Sequence, residues 1–257
     1  LVVCPKVNDI LSYFSDEEQK NLLLASIDSN DTWTRDHGAI SFFINEKPAI
    51  VDFGFNAWGL KFAANLDNRI TGKLFEQGYF QPNVAYINHL NFILEGGSIE
   101  SDGNGTLMTT SECLLAPNRN QPLDLKDIEE QLKKIFGVQK ILFLDHGYLE
   151  GDDTDNHIDT LARFCDEHTI VYVKCEDQKD VHFEELQKME KQLLGFTNIE
   201  GTGYQLIALP MADAVYEDGC RLPATYANFL IINGAVLLPF YGSEKDEIAK
   251  TTLQKAF

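Results

Sequence analysis

The segment GAISFFINEKPAIVDF (38 to 53) decides the fold, because it consists of two apolar, β-branched stretches joined by a short polar turn. This pattern is typical of a β-hairpin. It returns in GSIESDGNGTLMTT (97 to 110), DTLARFCDEHTIVYV (159 to 173) and ANFLIINGAVLLPF (227 to 240). The four turns lie near positions 46, 103, 167 and 233, so successive turns are 57, 64 and 66 residues apart. A repeat of this length has room for a hairpin, a helix and one further strand.

Helices and strands are predicted where such a repeat requires them. Apolar residues at spacings of three and four predict helices at 125 to 137, 182 to 195 and 243 to 257, the first ending at Gly137. The third begins with Ser243 and Asp246 in the register of a capping box. Strands are predicted at 140 to 144 and 204 to 208, so the repeating unit is ββαβ.

Units of this kind can close around an axis, which removes exposed sheet edges. The sequence therefore predicts an α/β propeller of ββαβ repeats, forming one domain over residues 1–257. Residues 1 to 28 supply only strand, helix and strand. The alternative is an ordinary α/β sandwich in which the spacing is a coincidence.

Composition restricts the partners. Forty acidic residues against 21 basic ones give a formal charge of -19, which repels nucleic acid and anionic lipid surfaces and favours a small cationic ligand. No apolar run reaches the roughly 18 residues that cross a bilayer. Five scattered cysteines without a CxxC pair argue against a disulfide framework and favour a cytoplasmic location. Because Leu1 opens an apolar run, we expect the natural start of the chain to be missing.

A cluster of polar residues precedes each predicted hairpin. If the units close around an axis, these clusters converge in one pocket. The clusters are NDTWTRDHG with Trp33 and Asp36, LEGG with Glu95, GDDTDNHID with Asp153, His157 and Asp159, and TYAN with Tyr226 and Asn228.

Such a pocket suits a planar cation, because a carboxylate accepts the N–H groups of a guanidinium in pairs. Trp33 can add a cation–π contact of about 0.5 to 2 kcal/mol. His157 lies two residues from Asp159 among other acids, which should raise the pKa of its imidazole and suits it to proton transfer. Alternatively, Asp36 forms a surface ion pair with Arg35, and Glu95 accepts hydrogen bonds from turn amides.

A metal site in GDDTDNHID is also conceivable. The string lacks the glycine and the distal glutamate of a calcium loop. His157 also has no second histidine or cysteine near it to complete a zinc site. We therefore expect no metal.

At these residues the chain resembles the agmatine deiminase and Porphyromonas-type peptidylarginine deiminase family of guanidine-modifying enzymes. The resemblance covers nearly the whole chain and rests on several long motifs in the same order. It implies a five-unit α/β propeller (pentein), no cofactor and a homodimer. The motifs are NDTWTRDHG, FILEGGSIESDGNGTLMTT, CLLAPNRN, GDDTDNHIDTLARF and YANFLIINGAVLLP.

The resemblance also implies roles for residues. Asp36 and Asp159 hold the guanidinium nitrogens, Glu95 orients the histidine, and His157 is the general acid and base. The remaining substrate-binding residues are Trp33, Asp153 and Asn228.

The family nucleophile is a cysteine in a late glycine-rich block with a His-Cys pair, which this sequence lacks. Cys113 matches a family position that is not the nucleophile, and we expect all five cysteines to be buried or inert. We therefore expect the nucleophile beyond Phe257. Four visible hairpins, one fewer than five units require, agree with this expectation.

The expected reaction is hydrolysis of agmatine to N-carbamoylputrescine and ammonia through a cysteine thiouronium intermediate. Acids at 150, 152, 153 and 155 would accept the distal amine of agmatine. Free or peptidyl arginine is the alternative substrate, and free arginine would need Arg35, Arg119 or Arg221 as a partner for its carboxylate. A guanidinium-binding module without catalysis and a metal-dependent hydrolase are two further functions that the sequence leaves open.

Overall fold

A computed structural model describes residues 1–257, which divide into two compact units, Leu1–Gly96 and Gly97–Phe257. Both units combine helices and strands, so the chain belongs to the α/β class. None of its helices has the length and apolar character needed to cross a bilayer.

The first unit begins with two parallel strands that enclose short helices, as predicted. Ser15 and Glu18 form a capping box at the start of the second helix. The elements are β1 (Val2–Cys4), α1 (Val7–Ile10), α2 (Asp16–Gln19) and β2 (Leu24–Ser26).

A three-stranded sheet completes the first unit. Its two hairpin strands are antiparallel and its third strand runs parallel to the second, which confirms the ββαβ order. Asn45 and Glu46 have φ of 50° and 64°, the left-handed conformation that a tight hairpin turn requires. The elements are α3 (Thr34–His37), β3 (Ile40–Ile44), β4 (Lys47–Gly54), α4 (Ala57–Leu60), α5 (Ile70–Glu76) and β5 (Ala85–Ile93).

The second unit contains two further sheets of the same design. In each, an antiparallel hairpin is followed by a helix and a strand parallel to the second hairpin strand. The first sheet is formed by elements β6 (Ile99–Ser101), β7 (Thr106–Thr110), α6 (Ser111–Leu115), α7 (Leu125–Phe136) and β8 (Lys140–Leu144). The second is formed by elements α8 (Ile158–Leu161), β9 (Ala162–Phe164), β10 (Thr169–Lys174), α9 (Phe183–Leu193) and β11 (Gln205–Pro210).

Local sequence explains the ends of α7. Asp124 and Asp127 form a capping box at its start, and Gly137 ends it with a φ of 67°. The predicted stop at Gly137 is therefore confirmed.

Two hairpins and a helix complete the second unit. The predicted hairpin turns at Asn233-Gly234, while the preceding hairpin was not predicted. The elements are β12 (Val215–Glu217), β13 (Cys220–Leu222), β14 (Leu230–Ile232), β15 (Ala235–Leu237) and α10 (Lys245–Leu253).

Only half of the predicted capping box at α10 forms. Asp246 accepts the Ser243 N–H at 3.1 Å, whereas the Ser243 hydroxyl accepts from Lys245.

The main apolar core of the second unit packs α9 and the short helix α8 against β8 and β10. Ile158, Leu161, Ile170 and Met189 are all at most 1% exposed in this cluster. A helix fixed so firmly holds the residues at its N-terminus in place.

Candidate active site

In the first unit, Asp36 lies at the end of α3 and is 7% exposed. The indole Nε1–H of Trp58 donates a hydrogen bond to its Oδ2 at 3.1 Å. Asp36 is thus a buried carboxylate with a neutral hydrogen-bond donor, whereas its neighbour Arg35 is exposed.

Trp58 lies in an unusual turn that the sequence did not predict. Ala57, Trp58, Gly59 and Leu60 all have positive φ, between 52° and 81°. Left-handed conformations of residues other than glycine cost about 1 to 3 kcal/mol each and cluster at functional sites. The Asn56 side chain supports the turn by accepting the Gly59 N–H at 3.0 Å.

Aromatic rings surround Trp58. Its ring packs edge-to-face against Trp33, Phe55 and Phe62, with centroids 5.4 to 6.2 Å apart. Trp33 itself is 55% exposed, so much of its side chain is accessible to solvent. The next ring along the chain, His37, is buried, and burial lowers the pKa of its imidazole and favours the neutral form.

Glu95 follows β5 and is fully buried. Directly after it, Gly96 packs against the backbone of α3, and a Cβ at this position would lie 2.0 Å from the Arg35 carbonyl oxygen. The first unit therefore brings the segment that carries Glu95 against the turn that carries Asp36.

In the second unit, the loop 149–157 is organised around Asp152. Its Oδ1 accepts the Thr154 N–H at 3.0 Å and the Thr154 hydroxyl at 2.6 Å, and its Oδ2 accepts the Asn156 N–H at 2.8 Å. The Thr154 hydroxyl oxygen accepts the His157 N–H at 3.2 Å. Asp152 therefore supports its own loop, which argues against its expected role toward the distal amine of a substrate.

Arg119, in the segment that follows α6, holds the same loop. Its Nη1 lies 2.6 Å from Oδ2 of Asp155, and its Nη2 donates to the Thr154 carbonyl at 2.9 Å. The Thr110 hydroxyl also donates to the Asn156 carbonyl at 2.7 Å. Both Arg119 and Asp155 thus act in loop structure, which argues against their expected roles toward a substrate.

His157 and Asp159 lie at the start of α8, where His157 is the N-cap residue. They are only 2% and 3% exposed. The thiol of Cys113 and a ring nitrogen of His157 lie within 4.8 Å of each other. The Cys113 thiol also contacts the Thr154 carbonyl at 3.8 Å. The packing of α8 in the core holds His157 and Asp159 rigidly.

The remaining expected substrate-binding residues lie nearer the surface. Asp153, Asn228 and Glu150 are exposed. Tyr226, by contrast, is buried, and its hydroxyl donates to Asp246 at 2.6 Å. Arg221 pairs with Asp180 at 3.0 Å. Of the five cysteines, Cys113 and Cys175 are buried, Cys4 and Cys165 are partly buried, and Cys220 is exposed in the unpredicted hairpin.

Comparison with solved structures extends this description. A Porphyromonas gingivalis protein, provisionally described as an arginine deiminase, is 50% identical with a TM-score of 0.97, covering 100% of this chain and 76% of that one. A Campylobacter jejuni agmatine deiminase, solved as a cysteine-to-serine variant with substrate bound, is 44% identical with a TM-score of 0.89. That match covers 99% of this chain and 72% of the C. jejuni chain.

Curated relatives are more distant. A Legionella pneumophila protein, provisionally named an agmatine deiminase, is 35% identical over 87% of this chain, which spans only 64% of that relative's length. The agmatine deiminase of Pseudomonas aeruginosa is 32% identical, covering 92% of this chain and 70% of the relative. The model of the Porphyromonas-type peptidyl-arginine deiminase family matches residues 2–257, and the chain belongs to that family.

Proposed function

We propose that the protein hydrolyses the guanidinium group of agmatine, giving N-carbamoylputrescine and ammonia without a cofactor. The observation that carries this proposal is the burial of four ionisable side chains, Asp36, Glu95, His157 and Asp159, each at most 7% exposed. Burying such groups costs free energy, and sites that bind or transform charged ligands are where this cost is commonly retained. The substrate-bound C. jejuni agmatine deiminase, 44% identical, supports the same reaction.

Each buried residue has a proposed role. Asp36 and Asp159 accept hydrogen bonds from the guanidinium nitrogens, Glu95 orients the imidazole, and His157 transfers protons. Trp33 contributes a ring face, and Asp153 and Asn228, which are not fully buried, contact the rest of the substrate.

We propose that the nucleophile is a cysteine outside residues 1–257. Its thiolate forms a bond to the guanidinium carbon, and the carbon–nitrogen bond breaks as His157 donates a proton to the departing ammonia. Water then gives a proton to His157 as its oxygen bonds to the thiouronium carbon. Collapse of this adduct breaks the carbon–sulfur bond, restores the thiolate and releases the remaining hydroxyl proton to solvent, where it protonates the ammonia. The cysteine-to-serine variant used to hold substrate in the C. jejuni enzyme supports a cysteine in this role.

Agmatine is preferred over free arginine because of the charges around the loop 149–157. Arg119 and Arg221 are paired with Asp155 and Asp180, so neither suits the carboxylate of arginine. The acids Glu150 and Asp153, which retain solvent exposure, are suited to a distal amine.

Ammonia release by the full-length protein tests the proposal. We expect release from agmatine, little from free arginine or an arginyl peptide, and no effect of a chelator. His157→Ala should abolish turnover, whereas the control His168→Ala, at a histidine whose side chain is 59% exposed, should not. Turnover of arginine instead of agmatine, or full activity of His157→Ala, would contradict the assignment. A haloacetamidine should label a cysteine, and agmatine should suppress this labelling. If no such agmatine-sensitive adduct forms, the protein only binds guanidinium groups.

We also propose that the ββαβ units belong to a single five-unit α/β propeller, and that the protein is a cytoplasmic homodimer. The repeated hairpin–helix–strand order supports the propeller, and the five cysteines without disulfides support the cytoplasmic location. The homodimer rests on the family resemblance alone. Light scattering of the full-length protein tests the dimer, and a single molar mass equal to one chain would refute it.

A further inference from the structure

We propose that His182 is a positioning residue that anchors the loop carrying His157. This proposal rests on the proposed function for its kinetic part only. His182 precedes α9, is 1% exposed, and its Nε2 accepts the backbone N–H of Glu150 at 2.7 Å. The anchored residue, Glu150, is the second residue of the loop 149–157, which ends at His157.

The tautomer of His182 is fixed by Asp180. A neutral imidazole accepts at one nitrogen and donates at the other. Because Nε2 accepts from Glu150, Nδ1 must carry the proton, and it faces Oδ1 of Asp180 at 2.5 Å. This arrangement, in which a carboxylate orients a histidine whose other nitrogen makes the functional contact, is a common positioning device.

Asp180 keeps its charge at neutral pH. Burial opposes ionisation, but the backbone N–H of His182 and the guanidinium of Arg221 both donate to its carboxylate and lower its pKa to about 2. The acceptor for the Nδ1 proton is therefore always present, and the lone pair on Nε2 stays directed at Glu150.

The loop lies directly on this network. Gly151 has a φ of 87°, and a Cβ there would lie 2.1 Å from the Arg221 carbonyl oxygen. The Tyr148 ring stacks on His182 with centroids 5.6 Å apart. A side chain at position 151 would push the loop off its support.

A series of hydrogen bonds leads from the anchor to the catalytic residue. The Asp152 N–H donates to the Leu149 carbonyl at 3.1 Å, and Asp152 holds Thr154, whose hydroxyl oxygen accepts the His157 N–H. Arg119 fixes the far end of the loop at Thr154, so His182 supplies the anchor at the near end. Displacement of a catalytic group by about 1 Å can lower the rate about 100-fold.

Two substitutions separate the two bonds of His182. In His182→Asn the amide nitrogen can still donate to Asp180, but no atom reaches the Glu150 N–H. In His182→Gln the amide oxygen is placed to accept that N–H. In the full-length protein we expect His182→Asn to lower kcat for agmatine about 10- to 100-fold with KM nearly unchanged, because His157 is misplaced. His182→Gln should recover most of the loss.

Amide hydrogen exchange provides a readout that does not depend on agmatine turnover. In the wild-type protein the Glu150 amide should exchange slowly although its residue is exposed, and residues 149–157 should exchange faster in His182→Asn than in His182→Gln. His168→Asn, at an exposed histidine, is the control and should change neither measurement.

Rapid exchange of the Glu150 amide in the wild-type protein would overturn the anchor even if His182→Asn failed to fold. Equal kcat values for the wild type and a folded His182→Asn would do the same. If wild-type protein releases no ammonia from agmatine while the exchange differences hold, the proposed function fails and the anchor stands.

Discussion

Trp58 and Asp36 are joined by a 3.1 Å hydrogen bond from the indole N–H to the carboxylate, in a place where both side chains are buried. The uncharged indole therefore fixes the orientation of the Asp36 carboxylate without adding a charge to it. The strained turn at 57–60 holds the indole in the position from which it donates to Asp36.

Trp58→Phe should therefore weaken substrate binding. It removes the donor to Asp36 and leaves the carboxylate without that hydrogen bond. Bonds to charged groups contribute about 1.5 to 3 kcal/mol, so we expect a comparable loss in the free energy of unfolding and an approximately 10-fold rise in KM for agmatine. Urea unfolding and steady-state kinetics measure the two effects.

Trp33→Phe is the control for the stability measurement only, because Trp33 is itself a proposed substrate-binding residue. Trp33 is exposed and contacts Trp58 only through its ring, so stability should change by less than about 0.5 kcal/mol. An unchanged KM in Trp58→Phe would show that the indole does not orient a substrate-binding carboxylate.

Gly96→Ala should disturb Glu95 and Asp36 together. The added Cβ would lie 2.0 Å from the Arg35 carbonyl oxygen, a distance that only a backbone shift can relieve. We expect a loss of about 1 to 3 kcal/mol in unfolding free energy, typical of overpacking at a rigid contact, and a large fall in kcat/KM. Gly72→Ala in α5 meets only ordinary contacts at 3.7 Å or more and should be neutral or stabilising. Equal unfolding curves for the two variants would rule out a tight contact at Gly96.

The hairpins could be predicted because their determinants are local. Alternating apolar residues and the Asn233-Gly234 turn are visible in a window of about ten residues. The same reasoning should have found the hairpin β12–β13, since Asp218 and Gly219, with φ of 49° and 80°, are a strong turn signal. Its strands, VYE and CRL, are interrupted by the charged Glu217 and Arg221, whereas the equally short strands β14 and β15 are apolar throughout.

The site was only partly predictable for a different reason. The motifs predicted that Asp36 and His157 line a pocket, but the indole that donates to Asp36 lies 22 residues away in a left-handed turn that no residue pattern specified. Arg119 and Asp155 are 36 residues apart, and their pairing depends on how the segment after α6 packs against the loop 149–157. Contacts of this kind are set by tertiary packing, which local periodicity does not encode.

Arg119→Met should release the far end of the loop. The substitution leaves Asp155 and the Thr154 carbonyl without the guanidinium, and breaking a buried pair costs about 3 to 5 kcal/mol. Asp155 is partly exposed, so we expect the lower end of this range together with a fall in kcat. Urea unfolding of Arg119→Met, Asp155→Asn and the double variant gives the coupling energy. A coupling near zero would mean that the pair does not stabilise the loop.

Asp180→Asn should make stability less dependent on pH in the acid range. The pKa of Asp180 in the folded protein is about 2, below the ordinary value of 3.8, so its charge stabilises the fold above about pH 4 and this contribution is lost as pH falls toward 2. The wild type should exceed the variant by roughly 1 to 2 kcal/mol at pH 7, and the difference should shrink between pH 4 and 2. Urea unfolding at pH 7, 4 and 2 measures the difference in stability between the two proteins, and Glu17→Gln, at an exposed carboxylate, is the control. A difference that is constant with pH would mean that the charge of Asp180 contributes nothing.

Thiol reactivity should distinguish Cys220 from three less accessible cysteines, Cys113, Cys165 and Cys175. Cys220 is exposed, Cys113 is fully buried, and burial raises the pKa of Cys165 to about 12 and that of Cys175 in the same direction. Because the thiolate is the reactive form, iodoacetamide at pH 8 should modify Cys220 rapidly and these three only after unfolding. Peptide mass spectrometry identifies the modified residue, and Cys220→Ser should remove that label while leaving ammonia release from agmatine intact. Loss of turnover in Cys220→Ser would instead put the nucleophile in the β12–β13 hairpin, and no cysteine outside residues 1–257 would then be needed.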